Sequence, residues 1–114
     1  MASLLLAPLA VQSKTSPSTV LRSNPTTLAK ALYQDWQHGA AKAARKIADA
    51  DAVDKLFGVR WRAMKFDGCQ PREEGGFECI YRDAKDDFSM AMIVDGGVSV
   101  GGYNVASLSF SSEE

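Results

Sequence analysis

From Thr26 to Trp36 the apolar positions recur at helical spacing. Leu28, Leu32 and Trp36 stand at i, i+4 and i+8, with Ala29 and Tyr33 beside them. This predicts a helix N-capped by Thr26 or Thr27 and ended or kinked at Gly39. Ala40 to Ala48 predicts a second, short helix with Ala40, Ala44 and Ile47 inward and Lys42, Arg45 and Lys46 solvated. A third turn follows, capped by Asp49 or Asp51. It gathers Val53, Leu56 and Phe57 and stops at Gly58.

After Gly58 the period changes from 3.6 to 2. Val59 to Phe66 alternates and predicts a first strand. On the next strand Phe77, Cys79 and Tyr81 share one face, with Glu78, Ile80 and Arg82 opposite. Asp83 to Asp87 reads as a turn. Phe88, Met90, Met92 and Val94 line one face of a third strand. Asp95-Gly96 is a two-residue hairpin signal, because both central positions of that turn favour positive φ. Val98 to Phe110 predicts a fourth strand, bulged or bent at Gly101-Gly102, before a loose Ser111–Glu114 tail. Helices followed by hairpin-linked strands define an α+β class: two or three N-terminal helices on one face of a four-stranded antiparallel sheet.

The residues before this pattern differ in kind. Leu4 to Val11 is a short apolar run, and residues 12–25 form a Ser/Thr/Pro linker. Residues 1–25 are therefore set apart from a single domain over 26–112. Three readings fit the start: the apolar core of a signal peptide cleaved near Val11-Gln12-Ser13, an organellar transit peptide, or an amphipathic segment packed on the domain. The first is favoured and predicts export to a periplasmic or extracellular space, with an organelle as the alternative. The run is too short for a membrane span, which needs roughly 20 apolar residues.

The chain has 114 residues, room for one domain, and a net charge of −1, which excludes electrostatically driven nucleic-acid binding. About 90 residues remain beyond the linker, a size at which one core gives modest stability. The two cysteines, Cys69 and Cys79, flank a Gln-Pro-Arg-Glu-Glu-Gly-Gly-Phe-Glu loop. They are not CxxC and lack metal-ligand spacing. A structural disulfide clamping the hairpin is the favoured reading, ahead of two reduced thiols or a reactive thiol. Closing about eleven residues contributes roughly 3 kcal/mol in the chain-entropy model.

His38 is the only histidine. Asp35 stands three residues before it, so a carboxylate–imidazole pair is geometrically allowed. The simpler reading is a histidine complementing the helix C-terminal dipole. Arg60, Arg62 and Lys65 read as a solvated strand face, and Glu73-Glu74 as a solvated turn. Asp95 to Gly102 matches no phosphate-binding loop. No cofactor, metal set or catalytic constellation emerges.

The leading helix Ala-Leu-Tyr-Gln-Asp-Trp-Gln-His-Gly-Ala-Ala, the Ala-rich second helix, Val53-x-x-Leu56-Phe57, and then Gly68-Cys69 with Phe77-Glu78-Cys79-Ile80-Tyr81 resemble small exported bacterial proteins of the cystatin-like or nuclear transport factor-like superfamily. The resemblance spans about residues 26 to 110. It implies helices on a curved antiparallel sheet. The Gln-x-Val-x-Gly of protease-inhibiting cystatins is absent. The expected function is a non-enzymatic binding module for a protein partner or a small apolar ligand, with homodimerisation open at the sheet edges. An inhibitor or immunity protein for a secreted enzyme is the second expectation, presenting the loop Pro71, Arg72, Glu73 and Glu74. The third is an isomerase-like enzyme with a pocket built from Tyr33, Asp35, Trp36, His38 and Tyr81.

Overall fold

A computed structural model describes residues 24–83, 85, 87–97 and 102–112. The apolar segment and linker up to residue 23, the Val98 to Gly101 stretch and the Glu113-Glu114 end lie outside the described residues. Among the described residues three helices, α1 (Pro25–His38), α2 (Ala41–Ala44) and α3 (Ala50–Phe57), precede four strands, β1 (Lys65–Pro71), β2 (Phe77–Asp83), β3 (Phe88–Gly97) and β4 (Gly102–Ser112). The strands form one antiparallel sheet in the order β1-β2-β3-β4. The α+β architecture expected from the change of period is the one observed.

Helix α1 starts at Asn24, not at Thr26 or Thr27. The Asn24 side-chain oxygen accepts from the Thr26 and Thr27 amides at 2.8 and 3.1 Å, and Pro25 occupies the first helical position. Asn24 and Pro25 therefore belong to the domain and not to the linker. Gly39, at φ +69°, ends the helix in a left-handed conformation that a side chain would oppose.

The second helix is shorter than Ala40 to Ala48. It stops at Ala44 because the next turn is claimed by β4: the Val105 amide donates to the Ile47 carbonyl at 3.0 Å, and the Asp49 amide to the Val105 carbonyl at 2.9 Å. Asp49 precedes α3, but its carboxylate makes no cap. It accepts from Asn104 at 2.7 Å instead.

The first strand begins at Lys65, not at Val59. The Trp36 indole donates to the Val59 carbonyl at 2.9 Å. The Tyr33 hydroxyl donates to the Arg62 carbonyl at 2.9 Å and accepts from the Met64 amide at 2.8 Å. The Val59 and Arg62 carbonyls and the Met64 amide thus bond to α1 side chains rather than to a strand ladder. Alternation marks an extended chain, but not what the chain pairs with. Asp95-Gly96 likewise does not turn. Asp95 pairs with Asn104 and Gly96 with Tyr103 inside the β3–β4 ladder, which runs on to Gly97 and Gly102. Its register shifts between Ile93 and Val94, across from Ala106. Ser111 and Ser112 are not loose, since they pair with Ser89 and Phe88.

The core lies between the helices and one sheet face. Leu28, Leu32, Trp36, Val53 and Leu56 meet Cys79, Tyr81, Met90, Met92, Val94, Val105 and Leu108, all buried. Removing this much apolar surface from water is the main driving force of the fold.

Candidate functional site

Cys69 and Cys79 are register partners in the β1–β2 hairpin and form a disulfide with a Cα separation of 4.0 Å. Cys79 is buried and Cys69 half-buried. The Thr26 hydroxyl donates to the Cys69 sulfur at 3.7 Å, tying the staple to the first turn of α1. A β-bulge between Phe66 and Cys69 absorbs Asp67 and Gly68 just below it.

Above the staple, residues 71–76 close the hairpin. The Arg72 amide donates to the Gly76 carbonyl and the Gly75 amide to the Arg72 carbonyl, each at 3.0 Å. The half-buried Arg72 guanidinium reaches Glu74 at 3.3 Å, the Gly75 carbonyl at 3.3 Å and Asp95 of β3 at 4.0 Å. Gly76 holds φ +75°, and a Cβ there would overlap the Val94 carbonyl and the Asp95 carboxylate. The loop is therefore seated on β3 at one end and covalently closed at the other. Pro71, Glu73 and Glu74 are exposed, and Glu73 has no ion-pair partner among the described residues. Glu78 and Asp95, also exposed, extend the acidic character of this corner.

Of the residues expected to line a pocket, Tyr33, Trp36 and Tyr81 do converge, but they fill the space. The Tyr33 and Tyr81 rings stack with centroids 4.3 Å apart and planes 7° from parallel. Trp36 meets Tyr33 edge-on at 5.9 Å, and Trp61, Phe66 and Phe110 continue the cluster. Burial, reinforced by the neighbouring Tyr33, pushes the Tyr81 hydroxyl far above its ordinary range, so it holds its proton through all physiological pH. Asp35 is half-buried and His38 exposed. Burial raises the Asp35 carboxyl above its usual range, opposed by His38.

Arg62, read from the sequence as part of a solvated face, does something else. Its guanidinium lies 4.2 Å from the Phe88 ring centroid and pairs with Asp83 at 3.1 Å, capping the aromatic cluster. Both partners, Asp83 at the end of β2 and Phe88 at the start of β3, lie more than twenty residues away, so local alternation carried no signal of them.

An open cleft of about 470 Å³ runs along residues 63–67 and is closed by Arg82 and Asp83. Three of its charged side chains are paired, Arg82 with Asp67 at 2.6 Å and Asp83 with Arg62 at 3.1 Å, while Lys65 is exposed. Among the described residues there is no group of three or more metal-ligating side chains, and no helix is long and apolar enough to cross a membrane. No family model, curated protein or solved structure matches the chain.

Proposed function

We propose that this chain is an exported, non-enzymatic binding module that captures a protein partner through the acidic loop 71–76. One observation carries the reading. The loop is restrained on both flanks, by the Cys69–Cys79 disulfide and by the Arg72 and Gly76 contacts to β3, while Glu73 and Glu74 stay exposed. A loop ordered before binding loses little entropy on binding. Its charge favours a basic surface and accelerates encounter with one. The disulfide supports an oxidising compartment. A secreted enzyme with a cationic rim is the partner class that suits such a loop, which makes the inhibitor or immunity role a special case of the same reading.

The two other expected functions find less support. A small apolar ligand between α1 and the sheet would have to displace the Tyr33–Tyr81 stack. An isomerase-like site would need a general base beside a cavity, and the Tyr33 hydroxyl is occupied by two backbone groups.

The experiment is capture from the exported fraction of the native host. Wild type is compared with a chain in which residues 71–76 are replaced by Gly/Ser and both cysteines are kept. Loss of the captured partner with the replacement, and weakening with salt for wild type, are expected. Equal capture by both chains would remove the loop from the account, and turnover of a substrate by the pure protein would remove the module.

A further inference from the structure

The sheet has two edges, and the sequence treats them differently. β1 carries the usual protections against edge pairing: Lys65, the bulge at Asp67-Gly68, and Pro71, which has no amide to donate. β4 is protected only in part. Its outer edge is met at Val105 by residues 47–49, and beyond that point no described residue covers Ser107 to Ser112. That stretch, Ser-Leu-Ser-Phe-Ser-Ser, has no charge, no proline and no further register shift.

We propose that β4 pairs antiparallel with β4 of a second copy about a two-fold axis at Ser109, joining two sheets into one of eight strands. The inference goes beyond the loop-mediated binding and stands without it. The occupant is set by the sequence of the edge itself. Rotation about Ser109 brings Ser107 opposite Ser111 of the second copy, and Leu108 opposite Phe110. Ser107, Ser109 and Ser111 are exposed on the face away from the helices, while Leu108 is buried and Phe110 half-buried on the helix side. The pairing therefore sets hydroxyl against hydroxyl on one face and apolar against aromatic on the other, the matches favoured across strands. The Ser89–Ser111 hydroxyl contact at 2.8 Å shows the same hydroxyl pairing already in use within one copy. A two-fold interface demands such self-complementarity, and hydrogen-bonding groups along an open edge supply the ladder. Such a dimer places the loops at residues 71–76 at opposite ends of the joined sheet, free for two partners.

The test is the mass of the folded protein in solution by sedimentation equilibrium, with three variants. Wild type is expected at twice the mass of its single chain, which is 12.3 kDa for the full 114 residues. Ser109→Lys sets like charges on the axis at an exposed position and is expected to give a folded monomer by circular dichroism. Ser109→Cys is expected to form an interchain disulfide on mild oxidation, and Ser107→Cys is not, because only residue 109 meets itself. A monomeric wild type, a dimer that survives Ser109→Lys, or equal cross-linking at 107 and 109 would each overturn the proposal.

Discussion

Tyr33 joins three parts of the chain. Its hydroxyl holds the Arg62 carbonyl and the Met64 amide, and its ring lies on Tyr81. Tyr33→Phe keeps the ring and strands two part-buried backbone groups. A loss of about 1–3 kcal/mol in denaturant unfolding is expected. Asp35 gives a pH test. Burial raises its carboxyl pKa in the folded chain, so the folded state binds protons more readily than the unfolded one. Stability from this group is present at acid pH and falls as pH rises through the raised folded value. Asp35→Asn is expected to be more stable than wild type near neutrality and to lose that advantage below the ordinary carboxylate range, read from melting temperatures across pH. The inward positions of α1 were legible because burial follows a 3.6-residue period. The cap was not, since Asn24, Thr26 and Thr27 all have a suitable oxygen and only the placement of Pro25 at the first helical position decides between them.

The stapled hairpin is the element on which the functional reading depends. Replacing both cysteines with serine is expected to cost roughly 3 kcal/mol from loop entropy. At the buried Cys79 position the Pro25 carbonyl, 3.9 Å from the sulfur, is the acceptor beside the new hydroxyl. Gly76→Ala tests the seat on β3: it demands positive φ and collides with the Val94 carbonyl. Destabilisation beyond about 1 kcal/mol is expected, with faster amide exchange confined to residues 71–77. Cys69 and Cys79 announced this hairpin, because a turn-rich loop lies between two alternating segments. The seat itself was hidden. Asp95 carried a hairpin signature with Gly96 that local chemistry could not distinguish from a ladder position facing Arg72. Val59 to Met64 was hidden for the same reason, because its backbone partners lie on α1, far away in sequence.

For the whole molecule, the order of elements and the faces that β2 and β3 bury were readable from the two periods alone. The loop Pro71, Arg72, Glu73 and Glu74 was legible as a candidate from the two cysteines that flank it, whereas its contacts to β3 through Arg72 and Gly76 were not. A core of this size gives a domain only modest stability, so the staple serves both the fold and the loop. Capture through a pre-ordered loop requires an exported chain with the Cys69–Cys79 disulfide intact. Intact mass of the protein recovered from its native host, measured after alkylation with and without reductant, tests this most directly. The expected result is a chain shortened near residue 13, with two cysteines that alkylate only after reduction. A full-length chain whose two thiols alkylate without reductant would contradict both the compartment and the pre-formed loop.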